Sequence, residues 1–326
     1  MRRLLLDIVF LGALMGPVAA EAQQSGRSAR VGVLVPGTPA TWDGNVQAFR
    51  LRLRELGWIE GQNLTLDLRY AGDKYDRLPG VAAELVASKP DAIFTGSAAA
   101  TLAAARAAAT IPIVFETLGD AVGLGLVSNL ARPDRNITGV SGFSPELSAK
   151  RLELIREIVP GVRRVGVLAN VDNPITRPVV RAIEAAARDL PVQLDLVDVR
   201  APSQLEDAFK EMAQRRVGAF LLVADPMLFG QSQRIVELAA RHRQPAVYEQ
   251  RMFADRGGLL SYGPFEHERF QQMAVYVDRI LRGAKPADLP IERPTKFELI
   301  INLKTAKGLG FTIPPSVLLR ADGVIQ

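Results

Sequence analysis

Val31-Gly32-Val33-Leu34-Val35, closed by Pro36-Gly37, decides the fold, because the run returns as Val165-Gly166-Val167-Leu168. Val165 lies 134 residues after Val31. A short continuous apolar run bounded by turn residues reads as a strand buried on both faces of a parallel sheet. The segments after the two copies are also alike. After the first come a helix-period segment at about 45–56 ended by Gly57, an alternating strand at 64–68 and a helix at 78–88. A strand at 92–95 then ends at Gly96-Ser97, and an Ala-rich helix at 98–109 leads to a fourth strand at 113–115. After the second copy come a helix at 178–190, a strand at 193–197 and a helix at 205–214. A strand at 219–223 then ends at Asp225-Pro226, and a helix at 231–242 leads to Pro245-Ala246-Val247-Tyr248, 133 residues after Pro112-Ile113-Val114-Phe115. Four strands in the same order, offset by 134 residues at the first and 133 at the fourth, mark an internal duplication of one domain. Strands alternating with helices make each copy an α/β lobe, Rossmann-like, with a doubly wound parallel sheet. Open sheets of this kind bind ligands at the carboxyl ends of their strands, so two facing lobes joined by a hinge would close on a small molecule.

The 326 residues are 48% hydrophobic and 23% charged, enough for two domains with ordinary cores. The chain has no cysteine, which excludes disulfides, thiolate metal sites, cysteine nucleophiles and a lipid-modified N-terminal cysteine. Its net charge of +5 is spread among acids along helices, as in Arg50-Leu51-Arg52-Leu53-Arg54-Glu55, and not gathered into a nucleic-acid-binding patch. Met1-Arg2-Arg3, an apolar stretch to Met15 interrupted by Asp7, and Ala20-Glu21-Ala22 have the three-part layout of an export signal over residues 1–22. The mature protein is therefore expected free in the periplasm, without a lipid anchor and as a monomer.

Candidate ligand contacts lie at the strand ends. Gly96 and Ser97 precede a helix whose N-terminal N–H groups suit a carboxylate, with Thr117 beside them, although Ser97 would serve equally as a helix cap. Asp225 ends the matching strand of the second lobe and either accepts an ammonium or caps the turn before Pro226. Gly37, Thr38, Asn170 and Asn173 end the first strands and would offer loop contacts or simply shape the turns. Tyr248 and Tyr262 could stack on a flat ligand, and Trp42 could act as a lid. Glu116 and Glu249 end matched fourth strands, so a carboxylate pair across the cleft is conceivable. There is no phosphate loop, His-Glu-x-x-His, nucleophile elbow or dinucleotide fingerprint, and two separated histidines, His242 and His267, give no metal site. No catalysis, cofactor or metal is expected.

One block is more specific: Arg282-Gly283-Ala284-Lys285-Pro286-Ala287-Asp288-Leu289-Pro290-Ile291-Glu292-Arg293-Pro294-Thr295-Lys296-Phe297-Glu298, continuing to Lys307. With Asn129-Leu130-Ala131-Arg132-Pro133, Asn136-Ile137-Thr138-Gly139-Val140 and Ser261-Tyr262-Gly263-Pro264, it resembles the ABC-transporter substrate-binding proteins described as tryptophan/tyrosine transport components. The resemblance implies the type I periplasmic-binding fold, three chain crossings between lobes, no enzymatic activity, and permease and ATPase partners. That family usually has Pro after Gly119-Asp120; Ala121 here implies a differently shaped loop around Asp120, a further candidate contact. The expected lobes are 30–141 with 258–296, and 142–257 with 297–326, hinged near 139–144, near 257–263 and before Pro294. The alternative is a ligand-sensing subunit of a signalling system.

Overall fold

The computed structural model describes residues 28–264 and 267–326; the expected export signal lies outside the described residues. The first lobe is built from β1 (Ala29–Val35), α1 (Pro39–Glu55), β2 (Leu64–Tyr70), α2 (Leu78–Ala87), β3 (Ala92–Thr95), α3 (Ala98–Ala107), β4 (Ile113–Thr117) and β5 (Ile137–Ser141). The chain then passes into α4 (Ser144–Ile158), β6 (Arg164–Ala169), α5 (Thr176–Ala187), β7 (Gln193–Asp198), α6 (Leu205–Gln214) and β8 (Ala219–Leu222). It continues through α7 (Pro226–Gly230), α8 (Ser232–Arg241), β9 (Ala246–Tyr248), α9 (Arg251–Asp255), β10 (Leu260–Pro264) and α10 (His267–Leu281). The C-terminal part holds β11 (Phe297–Asn302), α11 (Leu303–Leu309), α12 (Pro315–Leu318) and β12 (Gly323–Ile325).

The first sheet runs β2-β1-β3-β4-β5, entirely parallel. The second runs β12-β11-β10-β9-β8-β6-β7. Without β11 and β12 its order repeats the first, with β6 in the place of β1, as the duplication implies. The addition is an antiparallel edge: β11 pairs antiparallel with β10, and β12 lies parallel to β11. In β1 every residue except Arg30 is buried, which is why its sequence runs apolar instead of alternating. Helix α1 starts several residues before its apolar periodicity becomes visible. Thr38 caps it in a reciprocal box with Thr41, and Pro39 supplies a first-turn residue that needs no N–H partner.

Each lobe is completed by a helix that follows the other lobe's last parallel strand. After β5 the chain crosses and α4 packs on α5, β8 and β9. After β10 it crosses back and α10 packs on α1, β3, β4 and β5. Phe270, Met273, Ala274, Val277 and Ile280 of α10 share one core with Val31, Val33, Phe49 and Phe94. The chain then runs along β5, where Glu292 N donates to Gly139 O (3.0 Å) and Ser141 N to Glu292 O (2.9 Å), before β11 enters the second sheet. Residues 258–264, expected in the first lobe, instead belong to the second sheet: Leu260 and Ser261 pair with Val247 and Tyr248. The Gly257-Gly258 pair that suggested a hinge is the turn after α9, with Gly257 at φ +101. The second crossing falls after Pro264.

Candidate functional site

Strand ends from both sheets face one cavity of about 420 Å³ between the lobes. The first lobe contributes Trp42, Asn45, Gly96, Ser97, Glu116 and Thr117, with Arg269 and Phe270 from α10. The second contributes Asn173, Asp225, Phe229, Gln250, Met252 and Arg256. Beside it the lobes touch through an apolar cluster in which Ala98, Leu118 and Leu124 meet Ile175, Ala224 and Phe229.

Trp42 forms one wall. Its ring meets Phe270 edge-on at 5.9 Å, and Phe270 in turn meets Phe94 at 6.1 Å. Gly37 and Gly96, expected as ligand contacts, seat this indole. A Cβ on Gly37 would lie 2.6 Å from the ring, and one on Gly96 would overlap it. Only glycine lets the ring lie over these strand ends.

Ser97 and Thr117 do reach the cavity, and both are buried. Ser97 Oγ accepts from Ala100 N at 3.1 Å, so it caps α3, and Thr117 Oγ1 accepts from Gly119 N at 3.1 Å. Asp225 is fully buried and already engaged. One carboxylate oxygen accepts from Leu228 N (3.1 Å); the other accepts from Asn173 Nδ2 (3.1 Å) and, across the cleft, from the Tyr75 hydroxyl (2.7 Å). Burial holds the Asp225 carboxyl above its usual range, against the lowering effect of these donors. Burial, and then the nearby Asp225 charge, push the Tyr75 hydroxyl well above its ordinary value, so it keeps its proton and donates.

The remaining expected contacts do not line the cavity. Thr38 caps α1. Asn170 is buried in a turn, its Oδ1 accepting from Asp172 N at 3.0 Å. Asp120 accepts from Val122 N and Gly123 N and pairs with Arg293 at 3.2 Å, outside the main cavity. Tyr248 lies wholly inside the second-lobe core, stacked on Phe253 at 4.5 Å. Tyr248 is still within β9, and the position that reaches the cavity falls two residues later, past the strand end, on Gln250. Tyr262 packs against the core beneath β10, and its carbonyl accepts from Arg151 Nε at 2.7 Å. Glu116 and Glu249 do not face each other as a carboxylate pair. Arg269 binds Glu116, and Arg151 pairs with Glu249 at 3.3 Å. Among the described residues no group of acids and histidines is arranged to hold a metal.

Tyr75, Gln250, Arg256, Arg269 and Phe270 were not foreseen. The offset of 133 could have found Gln250, since it is the counterpart of Thr117, itself a candidate. Arg269 carries no such signal, because a single arginine on an amphipathic helix looks like a solvated one.

The model of the family described as ABC transporter substrate binding protein matches residues 30–325. The chain belongs to this family. The binding protein is 23% identical, over 81% of its length and 75% of the relative's, to the tyrosine-binding protein of Clostridioides difficile (strain R20291). Among solved structures it resembles a conserved domain protein from Vibrio cholerae O1 biovar El Tor, with a TM-score of 0.84 and 27% identity over 91% of this chain and 100% of that one. It also resembles the ABC domain from Streptococcus pneumonia in complex with L-Trp, with a TM-score of 0.82 and 25% identity over 91% and 100% of the two chains. The fold is that of the type I periplasmic binding proteins, and the binding protein is the substrate-binding component of an ABC transporter system. Among the described residues no helix is long and apolar enough to cross a membrane.

Proposed function

We propose that the binding protein is exported to the periplasm, captures an amino acid between its lobes and presents it to an ABC permease. It acts as a monomer, without a lipid anchor and without catalysing a reaction. The observation that carries this reading is the cavity itself: both lobes line it, it is the size of a small-molecule site, and an aromatic wall lies beside a few polar groups. Trp42, Phe229 and Phe270 suit an apolar or aromatic side chain. The names of two relatives, a tyrosine-binding protein and an L-Trp complex, point to the same class.

A thermal-shift screen on residues 23–326, denatured and refolded to strip carried-over ligand, tests this. The panel holds amino acids, nucleosides, polyamines and aromatic acids. A ligand at a hundred times its dissociation constant should stabilise the protein by about 2.7 kcal/mol. Stabilisation confined to amino acids is expected. A hit only among the other compounds would overturn the ligand class.

A further inference from the structure

The duplication provides an internal control for the cleft. In each lobe a buried glutamate ends or follows the fourth strand, and an arginine from the crossover helix pairs with it: Glu249 with Arg151 of α4, Glu116 with Arg269 of α10. The second-lobe pair is tied into its own lobe, although Arg151 Nη2 and Glu249 Oε1, 3.3 Å apart, lack an aligned hydrogen bond. Arg151 donates through Nε to Tyr262 O (2.7 Å) and through Nη1 to Ser148 Oγ (2.9 Å), and Ser144 Oγ donates to Glu249 Oε2 (3.1 Å). That pair does not line the cavity. The first-lobe pair does. Arg269 reaches Glu116 through Nη1, while its Nε is buried with no partner among the described residues.

Gln250 occupies the opposite wall. It follows Glu249, lines the same cavity, and its carboxamide oxygen is buried with no partner among the described residues. Arg269 and Gln250 are each only 5% exposed. A buried polar atom left without a hydrogen bond is costly, because it has lost water without gaining a partner. Arg269 and Gln250 line one cavity from opposite lobes, and each carries a buried polar atom without a partner among the described residues, so the two side chains are placed for a ligand that brings the complementary groups.

We propose that Arg269 and Gln250 hold the polar end of a zwitterionic α-amino acid: the guanidinium takes its carboxylate and the Gln250 carboxamide oxygen accepts from its ammonium. This rests on the amino-acid reading above and names the contacts that serve it. Asp225, the acid first expected to take the ammonium, already accepts from Tyr75, Asn173 and Leu228 N, and Ser97 Oγ is used by its own helix. Charge selects the same ligand. The lining acids Glu116 and Asp225 stand against the guanidiniums of Arg269 and Arg256. A zwitterion adds no net charge to a closed cleft, whereas an anion or a cation would add one where it is poorly solvated. Because the two residues come from different lobes, a ligand held by both also ties the lobes together.

The test is titration calorimetry on refolded residues 23–326 with the twenty proteinogenic L-amino acids, then with the amide and the des-amino acid of the tightest binder. Wild type should bind each analogue at least about tenfold more weakly, a difference of about 1.4 kcal/mol. Gln250→Met keeps the side-chain length and breaks no side-chain hydrogen bond among the described residues. It should weaken the amino acid at least tenfold, leave the des-amino acid unchanged, and leave the melting temperature of the ligand-free protein unchanged. Arg269→Lys, which keeps the charge beside Glu116 and removes Nε–H, should weaken the amino acid and the des-amino acid alike. Wild-type affinity in Gln250→Met, or an amide bound as tightly as the acid, overturns the assignment of contacts while leaving an amino-acid-binding protein. Absence of binding by every amino acid overturns the amino-acid reading and this assignment with it.

Discussion

Single residues set the walls of the cleft. Gly96 is required because Trp42 occupies the space of its missing side chain. Gly96→Ala should displace the indole, cost about 1–3 kcal/mol through overpacking, and weaken ligand binding. Urea unfolding with tryptophan emission checks this, since Trp58 is held elsewhere by Asp278 at 2.8 Å and should not move. The two buried ion pairs separate stability from function. Glu116→Gln and Glu249→Gln each leave an arginine buried without its counter-charge and should each cost about 3–5 kcal/mol. Ligand specificity should change only with Glu116→Gln, because only that pair lines the cavity. Equal changes in specificity in calorimetry would contradict this division. The strand-end rule located Ser97, Thr117, Asn173 and Asp225 from sequence, but not their partners. Whether Asp225 was free to meet a ligand depended on Tyr75, 150 positions earlier in the chain, and no local pattern carries such a contact.

At the scale of elements, the sequence was clearest where a strand is buried on both faces. The runs at β1, β3, β6 and β8 stand out as unbroken apolar stretches, and the matching offsets of β6 from β1 and of β9 from β4 gave the duplication. Reading failed at β10. Its short segment, Leu260–Pro264, follows two glycines, and its sheet membership depends on pairing with β9 and β11. Helix α10 lies within 258–296, the stretch expected in the first lobe, and packs on α1 there, although an amphipathic helix by itself shows only that it has a buried face and not which lobe covers it. The exchange of α4 and α10 has a consequence for folding. Residues 28–143 alone lack the helix that covers Phe49 and Phe94, so this fragment should stay unfolded. Joining residues 267–293 to it through a flexible linker should restore a cooperative transition in circular dichroism. A folded 28–143 fragment would show that α10 is not needed to complete the first core.

At the scale of the whole molecule, the lobes are held by a hinge on one side and a latch on the other. At the hinge, Phe143 of the first crossing meets Phe297 after the third at 5.9 Å, and Arg293 lies over Phe143 at 4.5 Å. At the latch, Tyr75 of the first lobe donates to Asp225 of the second. Burial raises the Asp225 carboxyl from its usual 3.8, and nearby Asp73 is raised by burial and by the Asp225 charge. The native state therefore binds these protons more tightly than the unfolded chain does. Stability from this source is greatest at low pH and declines as pH rises from 3.8 through the raised native values. Tyr75→Phe removes a donor to the carboxylate, so it should extend the decline to higher pH and weaken closure by about 1.5–3 kcal/mol. Unfolding free energies measured from about pH 3.5 to 7, across the usual carboxylate range, check the sign. Superimposable profiles for wild type and Tyr75→Phe would mean that the latch contributes nothing.

In the proposed function, closure of the two lobes is the step that captures ligand. Small-angle X-ray scattering on the refolded, ligand-stripped protein, with and without a saturating amino acid identified by the screen, tests it most directly. The radius of gyration should fall on ligand addition. An unchanged curve in a sample that calorimetry shows to be fully bound would contradict hinged closure.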